Sequence, residues 1–131
     1  MIYNELGKTG MTVSNLGFGA SYLGGVFHSI KETEAREAVF TAVDNGINFI
    51  DVSPYYGHLK AETVLGKALK DIPRDRFYLS TKVGRYGKDG VNTWDYSAGR
   101  AQASVYESME RLNVDHIDLI NVHDVEFTDL Q

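Results

Sequence analysis

Apolar residues recur along the chain with two different spacings, and the two spacings alternate. Short apolar runs typical of buried strands begin near Leu16, Ile47, Phe77 and Ile117. Between these runs, apolar residues are three or four positions apart, which places them on one face of a helix. The pattern therefore predicts strands that alternate with helices, an order typical of a parallel sheet.

The first predicted helix lies between the first two strands. Ser29 and Glu32 have the spacing of a capping box, which predicts that the helix begins just after Ser29. Its end is predicted at Asn45-Gly46, because glycine is favoured just beyond a helix C-terminus. Its apolar stripe consists of Ala35, Ala38, Val39, Ala42 and Val43.

Two further helices and a hairpin complete the predicted elements. Ser97 is a favourable N-cap for the third helix, since its hydroxyl can accept a hydrogen bond from the first turn. A glycine-rich turn over residues 7–10 predicts that the segments on either side of it pair as a hairpin. The second and third helices are predicted over 61–70 and 98–113, and the hairpin strands over 2–6 and 12–16.

Two architectures with parallel strands are consistent with this order. A doubly wound sheet that binds a dinucleotide requires the motif G-x-G-x-x-G directly after its first strand. In residues 17–25 the third glycine is out of register, and no helix is predicted to follow at once. The alternative is a (β/α)₈ barrel, which typically has about 250 residues. Because the chain has 131 residues, we predict an α/β fold: the N-terminal half of a (β/α)₈ TIM barrel preceded by a short β-hairpin. Residues 1–131 would form a single partial domain with about four of the eight strands.

Composition and charge narrow the classes of partner and compartment. The net charge is −5 without a basic block, and phosphate binding requires concentrated positive charge, so nucleic acid is not expected as a partner. No apolar run approaches the roughly 18 residues of a membrane span, and the N-terminus lacks the apolar core of a secretory signal. The lack of cysteine excludes disulfides and thiolate metal sites. We therefore expect a cytoplasmic protein that does not bind membranes.

Polar side chains with complementary chemistry follow the last three strands. The second strand ends in Asp51, the third in Lys82 and the fourth in His123, and the loop after the second contains Tyr55 and Tyr56. The active site of a (β/α)₈ barrel lies at the C-terminal ends of its strands. Since neighbouring strands lie about 4.8 Å apart, we expect the three strand-end side chains to converge within roughly 10 Å.

Together these residue types can move a proton on or off an oxygen atom. A tyrosine hydroxyl has an ordinary pKa of about 10, and a nearby lysine ammonium is expected to lower it. An aspartate can hold the lysine charged and oriented, and a histidine can donate a hydrogen bond to a carbonyl oxygen. Interconversion of an alcohol and a carbonyl also needs a hydride donor or acceptor, which a cofactor supplies. Singly, each residue has an ordinary structural role, but their shared position favours catalysis.

Two further patterns have both a functional and a structural interpretation. Acidic and histidine residues at 115–118 and 123–126 resemble metal ligands, but alternation along the fourth strand separates them, and we predict no metal site. The aromatic residues Tyr86, Trp94 and Tyr96 follow the third strand. They would either line a sugar site or pack within a loop, and the pattern favours neither.

Six segments carry motifs of a known family. They are residues 17–21, 45–51, 56–57, 62–69, 80–82 and 108–119. Together they resemble the aldo-keto reductase superfamily over essentially the whole chain. The resemblance implies a catalytic tetrad of Asp51, Tyr56, Lys82 and His123, and the spacing from Asp51 selects Tyr56 over Tyr55. It also implies that Tyr56 is the general acid in reduction and the general base in oxidation, that Lys82 and Asp51 tune it, and that His123 orients the substrate oxygen.

The same resemblance implies a nicotinamide cofactor, NAD or NADP. Gly19, Ala20 and Ser21 match the first-strand segment that borders the nicotinamide, and Asp51 is expected to lie beside the cofactor as well. Most of the family's cofactor-binding residues, including those that choose between NAD and NADP, belong to the second half of the barrel.

Finer motifs narrow the expected substrate. They lie at residues 24–27, 53–57, 82–86 and 123–127, and they resemble the L-galactose dehydrogenase-like aldose dehydrogenases. The implied reaction is NAD(P)-dependent oxidation of an aldose such as L-galactose to a lactone. The alternatives are a general NADPH-dependent aldehyde reductase, a metal-dependent hydrolase on a barrel, and an inactive truncated half-barrel. The half-barrel would act as a binding or assembly module that self-associates through its open edges.

Overall fold

A computed structural model of the chain describes residues 1–26, 29–88 and 91–127. Phe27, which belongs to one of the motifs above, lies outside the described residues. Short 3₁₀ turns cover Ala20–Gly24, Arg74–Arg76 and Val125–Phe127. In chain order the described elements are β1 (Tyr3–Glu5), β2 (Thr12–Ser14), β3 (Phe18–Gly19), α1 (Glu32–Asp44), β4 (Phe49–Asp51), α2 (Lys60–Leu69), β5 (Tyr78–Val83), β6 (Arg85–Lys88), β7 (Val91–Trp94), α3 (Ala98–Leu112) and β8 (Leu119–Val122).

The centre of the structure is a parallel sheet in the order β3, β4, β5, β8. One helix lies between each pair of successive sheet strands, and the antiparallel hairpin β1–β2 precedes them. The register aligns Gly19 with Asp51, Asp51 with Ser80, and Lys82 with Asn121. The prediction of an α/β fold with four parallel strands after a hairpin is confirmed.

One buried hydrophobic cluster fills the space between the sheet and the helices. Ile50 of β4 and Leu79 of β5 are fully buried in it, together with a large aliphatic residue from each helix. Because successive side chains of a strand point to opposite faces, Asp51 and Ser80 point away from the helices. The alternation that builds the core therefore also directs polar groups to the opposite side of the sheet. The helix residues are Val39, Leu65 and Leu112.

A buried ion pair joins two helices to the sheet. Glu62 of α2 is fully buried, and its carboxylate accepts hydrogen bonds from Thr81 of β5 and Arg111 of α3, each at 2.7 Å. Arg111 also donates to the hydroxyl of Ser108 at 3.1 Å. Loss of one partner of such a pair leaves an uncompensated charge, which costs about 3–5 kcal/mol. The pair therefore fixes α2 and α3 relative to β5.

The N-terminus of α1 differs from the prediction. The helix begins at Glu32 with Lys31 as its N-cap, so the capping box predicted at Ser29 is wrong. The Lys31 backbone N–H donates to the Glu34 carboxylate at 3.3 Å. The carboxylates of Glu32 and Glu34 also lie in the first turn, where they complement the positive end of the helix dipole.

The segment after β5 contains structure that the periodicity did not predict. Strands β6 and β7 pair in antiparallel fashion, with Arg85 opposite Trp94. Gly84 separates β6 from β5 with a φ of +99°, a backbone conformation that glycine adopts readily. The chain therefore turns sharply away from the parallel sheet at Gly84, and the β6–β7 ribbon begins at the next residue, Arg85.

The helices α1, α2 and α3 have 13, 10 and 15 residues. Among the described residues, none of them is both long and apolar enough to cross a membrane.

The tight crossing of α2 and α3 leads to a stability prediction. A Cβ at Gly66 would lie 2.1 Å from the carbonyl oxygen of Arg111, so Gly66→Ala must push the helices apart. We expect a loss of about 1–3 kcal/mol in the free energy of unfolding, as for overpacked cores, despite the higher helix propensity of alanine. Urea unfolding followed by circular dichroism measures this loss.

Gly99→Ala is the matched control within α3. An added Cβ at Gly99 meets no atom within 4 Å among the described residues, apart from its chain neighbours and its own helix backbone. This variant should unfold at the urea concentration of the parent chain or slightly above it. A Gly66→Ala variant as stable as Gly99→Ala would contradict the close helix contact.

Candidate active site

The strand ends bring the predicted acid and base into direct contact. Asp51 is the last residue of β4, and Lys82 lies in the neighbouring strand β5. The Lys82 ammonium donates to the Asp51 carboxylate at 2.5 Å and to the Val52 carbonyl at 3.1 Å. The Lys82 side chain is only 13% exposed, so its position is fixed by these two oxygen atoms and by the surrounding protein.

Further polar groups hold Asp51 through its other carboxylate oxygen. The Ser80 hydroxyl donates to Asp51 Oδ1 at 2.9 Å, and the Asn121 amide donates to the Ser80 hydroxyl at 2.9 Å. Neither Ser80 nor Asn121 was among the predicted site residues. The sequence could have indicated them, because Ser80 lies two residues before Lys82 and Asn121 two residues before His123. Residues two apart in a strand point to the same face of the sheet.

Both tyrosines of the loop after β4 pack edge-on against the His123 ring. The ring centroids are 5.6 Å apart for Tyr56 and 5.8 Å for Tyr55. The Tyr55 hydroxyl accepts a hydrogen bond from Arg85 at 2.9 Å, whereas no described residue bonds the Tyr56 hydroxyl. The Lys82 ammonium lies 5.4 Å from the centroid of the Tyr56 ring. Among the described residues the Tyr56 hydroxyl therefore has no hydrogen-bond partner, and the Tyr56 ring lies near the Lys82 ammonium.

His123 is buried, and both its backbone and its ring are held in place. Its N–H donates to the Val83 carbonyl at 2.9 Å, and its carbonyl accepts from the Tyr96 hydroxyl at 2.7 Å. The ring Nδ1 lies 3.1 Å from the Ser53 hydroxyl oxygen. That oxygen already accepts the N–H of Tyr55 at 3.1 Å, so its own hydrogen is available to Nδ1. When Ser53 donates that hydrogen to Nδ1, the ring proton of neutral His123 lies on Nε2.

Burial shifts the pKa values of His123 and Tyr56 in opposite directions. Burial lowers the pKa of His123 below its ordinary 6.5; Asp124 opposes this shift and Lys82 reinforces it. Burial also raises the pKa of Tyr56 above its ordinary 10.0, and the charges of Asp51 and Asp124 reinforce that shift. At neutral pH the imidazole is therefore neutral and the phenol keeps its proton.

The expected lowering of the tyrosine pKa by the lysine is wrong for this arrangement. Burial is the largest influence on Tyr56, and its direction is upward. Lys82 is bound to Asp51 at 2.5 Å, so the carboxylate offsets much of the ammonium charge at the tyrosine hydroxyl. The pair therefore supplies position and a nearby cation without making Tyr56 acidic.

A cavity of about 540 Å³ opens beside Tyr56. Its volume lies within the range of about 300–1,000 Å³ that small-molecule sites usually have. Of the predicted cofactor residues, Gly19 ends β3 level with Asp51, Ala20 is fully buried, and Ser21 lines the cavity. The other lining residues are Gly24, Gly25, Val26, Tyr55, Gly57 and His58.

Two glycines fix the tyrosine loop against the segment after β3. A Cβ at Gly57 would lie 2.3 Å from the carbonyl oxygen of Gly24, and Gly57 has a φ of +60°. A Cβ at Gly24 would in turn lie 2.9 Å from the carbonyl oxygen of Tyr56. Backbone packs directly on backbone here, which determines where Tyr56 lies relative to residues 20–24.

An ion pair that was not predicted lies beside His123. Arg85 donates to the carboxylate of Asp124. The Arg85 guanidinium also lies 3.8 Å from the centroid of the Tyr55 ring and 4.6 Å from that of Trp94. Guanidinium groups stack favourably on aromatic faces, so Arg85 is held by two rings and by an opposite charge.

The three aromatic residues after β5 have different environments. Tyr86 is buried, and its hydroxyl accepts a hydrogen bond from the Gly84 N–H at 3.0 Å, so it packs within the ribbon. Trp94 is 38% exposed and stacks on Tyr96 with ring centroids 6.4 Å apart. Trp94 and Tyr96 therefore form an aromatic surface near His123, whereas Tyr86 has the structural role.

The acidic and histidine residues near β8 have other partners. Asp118 accepts hydrogen bonds from the Leu79 N–H at 2.7 Å and from Arg74 at 2.5 Å. Within residues 1–26, 29–88 and 91–127, no three His, Cys, Asp or Glu side chains are grouped so that they could hold a metal ion.

Comparison with known proteins shows the family. Residues 15–129 match the model of the Aldo/keto reductase family. The chain belongs to the aldo/keto reductase family. Among curated members, it is 48% identical to L-galactose dehydrogenase of Arabidopsis thaliana over 127 residues, which cover 95% of this chain and 39% of that protein. It is 39% identical to D-arabinose 1-dehydrogenase of Saccharomyces cerevisiae over 121 residues, or 88% of this chain and 35% of that protein.

A solved aldo/keto reductase shares the fold. The holo form of an aldo-keto reductase from Bacillus halodurans matches with a TM-score of 0.83 and 35% identity, covering 93% of this chain and 40% of that structure. The half-barrel prediction and the family resemblance are thus confirmed, and this chain spans well under half of these relatives. The catalytic roles of the tetrad and the single partial domain over residues 1–131 stay predictions.

The lowered pKa of His123 predicts that this aldo/keto reductase chain loses stability in acid. The unfolded chain binds a proton at the ordinary pKa of 6.5, whereas folded His123 binds it only at lower pH. The free energy of unfolding should therefore fall as the pH drops below 6.5. One proton contributes at most about 1.4 kcal/mol per pH unit. Urea unfolding between about pH 7.5 and pH 5 measures the slope.

His123→Gln should remove this part of the slope. His116→Gln is the comparison for loss of an imidazole elsewhere in the chain, because the His116 side chain is 55% exposed. Equal slopes for the parent chain and His123→Gln would show that another group causes the acid sensitivity.

Proposed function

We propose that this chain is the N-terminal part of an NAD(P)-dependent oxidoreductase that interconverts an alcohol and a carbonyl. The observation that carries the proposal is one cluster at the strand ends: the unbonded Tyr56 hydroxyl, the Lys82–Asp51 ion pair and the neutral ring of His123. The group has a proton donor, a nearby cation and a hydrogen-bond donor, which are the elements of general acid–base catalysis at an oxygen atom.

Each residue then has a defined task. Tyr56 gives its proton to the substrate oxygen in reduction and takes it back in oxidation. Its raised pKa keeps it protonated at neutral pH, as reduction requires, whereas oxidation requires the phenolate, which is populated more as the pH rises. Lys82 places a cation 5.4 Å from the centroid of the Tyr56 ring. Asp51 holds Lys82 in place. His123 donates its Nε2–H to the same substrate oxygen and so orients it beside Tyr56.

The residues that are present fit the nicotinamide end of a cofactor. A Cβ added at Gly19 would meet nothing within 4 Å among the described residues, so there is open space beside the end of β3. This position lies level with Asp51, and Ser21 lines the adjoining cavity. Gly19, Ser21 and Asp51 would border the ring there, and the fully buried Ala20 would support the backbone between Gly19 and Ser21. A bound nicotinamide supplies or accepts the hydride that the protein's own groups cannot.

The substrate we propose is an aldose such as L-galactose, oxidised at its anomeric carbon to a lactone. Asp124 and Arg85 place both charge signs beside His123, and Trp94 adds a partly exposed ring. Charged hydrogen-bonding groups suit the hydroxyls of a sugar, and an aromatic face suits its C–H groups. Three relatives are named as dehydrogenases of L-galactose, D-threo-aldoses and D-arabinose, which supports the same choice.

A chimera tests this proposal, because the chain spans only part of its relatives. Residues 1–131 replace the matching segment of Arabidopsis L-galactose dehydrogenase, and formation of NADH or NADPH is followed with a panel of aldoses. We expect turnover of an aldose. Faster NADPH-dependent reduction of simple aldehydes would favour the aldehyde-reductase alternative.

Tyr56→Phe in the chimera tests the proton donor. Loss of general acid–base catalysis should lower kcat by about 10²–10⁴-fold. The dissociation constant for NAD(P)H, measured by fluorescence titration, should be nearly unchanged, since the hydroxyl does not hold the nucleotide. Tyr106→Phe, which alters an exposed ring on α3, should leave both quantities at their starting values.

Tyr55→Phe is the decisive comparison, because both rings contact His123 at nearly the same distance. It should retain far more turnover than Tyr56→Phe. If Tyr56→Phe keeps normal turnover, or if Tyr55→Phe loses as much, Tyr56 is not the proton donor.

Assembly is a second candidate function for the 131-residue chain itself. Ile120 and Val122 of the edge strand β8 are 38% and 53% exposed. They are aligned with Thr81 and Val83, so they lie on the sheet face that the helices cover elsewhere. Exposed apolar edge strands favour association. Gel filtration should then show a species that grows with protein concentration, and Val122→Asp should reduce it. A compact monomer at all concentrations would contradict assembly.

A further inference from the structure

The ion pair of Arg85 and Asp124 shares its carboxylate oxygen with His123. The oxygen Oδ2 that receives the Arg85 hydrogen bond lies 3.5 Å from His123 Nε2. Good N–H···O hydrogen bonds are about 2.7–3.2 Å long, so the Asp124 carboxylate is slightly too far from Nε2 to form one. In the tautomer in which Ser53 donates to Nδ1, the proton on Nε2 is therefore left for another acceptor.

Several contacts keep Arg85 in this position. Its guanidinium stacks on Tyr55 and Trp94 and donates to the Tyr55 hydroxyl at 2.9 Å. Asp124 has a φ of +49°, a left-handed conformation that aspartate adopts more readily than most residues, and its carbonyl accepts a hydrogen bond from the Tyr96 hydroxyl at 3.3 Å. The positions of both members of the pair are thus determined from more than one side.

We propose that Arg85 is a positioning residue that holds the Asp124 carboxylate back from His123 Nε2, so that the Nε2–H remains free to orient the substrate oxygen. This inference rests on the proposed function of His123. Without Arg85, the carboxylate would be an unpaired charge next to the ring. It would take the Nε2–H for itself and would favour the imidazolium form.

Other charges near His123 come from elements on every side of it. Lys82 of β5 and Arg85 of β6 oppose protonation of the ring, whereas Asp51 of β4 and Asp124 favour it. The rings of Tyr55 and Tyr56 contact the His123 ring in edge-type arrangements. Two ion pairs occur within this set of four charged residues: Lys82 with Asp51, and Arg85 with Asp124. Removing Arg85 therefore leaves Asp124 as the one carboxylate without its partner.

Histidine-edited NMR of the 131-residue chain tests the proposal without requiring turnover. The chain has four histidines, and the His123 signal is assigned by its loss in His123→Gln. In the parent chain, the ¹⁵N shifts should show the proton on Nε2. Arg85→Gln should move the titration midpoint of His123 to higher pH, and Arg85→Lys, which keeps the charge, should leave it close to that of the parent.

Asp124→Asn provides a second, independent variant. It should move the His123 midpoint to lower pH, because a carboxylate that favours the imidazolium is gone. Added to Arg85→Gln, it should cancel the upward shift. An unchanged midpoint in Arg85→Gln would overturn the proposal, and so would an unchanged midpoint in Asp124→Asn. An inactive chimera with these NMR shifts intact would instead count against the proposed function alone.

Discussion

The fully buried carboxylate of Glu62 has to be neutralised where it lies, and that requirement fixes the relation of two helices to the sheet. Arg111 supplies the charge from α3, and Thr81 adds a hydrogen bond from β5. Thr81 directly precedes Lys82 in β5, and successive side chains of a strand point to opposite faces. The contact of Thr81 with Glu62 therefore directs the Lys82 side chain to the face away from the helices. The geometry of the Lys82–Asp51 pair on one face of the strand thus depends on an ion pair on the other.

Much of this architecture follows from periodicity. Apolar stripes predict the helices, and short apolar runs predict the strands. The predicted strands end in Asp51, Lys82 and His123. Because parallel strands end at one edge of the sheet, convergence of these residues could be inferred without coordinates. The observed contact of Lys82 with Asp51 is the direct result of placing the two residues on adjacent strands.

Periodicity does not predict the features of the structure that depend on contacts between residues distant in the sequence. Arg85 and Asp124 are 39 residues apart, and nothing in their local sequence indicates that they pair. The β6–β7 ribbon has two strands of four residues that are partly polar, so its sequence lacks the sustained apolar–polar alternation that predicts a strand. At α1, a glutamate in the first turn bonds the backbone of Lys31 and displaces the start of the helix from Ser29. Likewise, the raised pKa of Tyr56 depends on how much of the ring is buried, which only the folded structure defines.

The contact of Gly24 with Gly57 has a mechanical consequence. With no side chain between them to deform, the two loops behave as a single rigid body at that point. One loop carries Tyr56, and the other follows β3. A ligand that displaced the second loop would therefore also displace Tyr56. Ligand binding beside one loop would thus move the other loop through the direct backbone contact of Gly24 and Gly57.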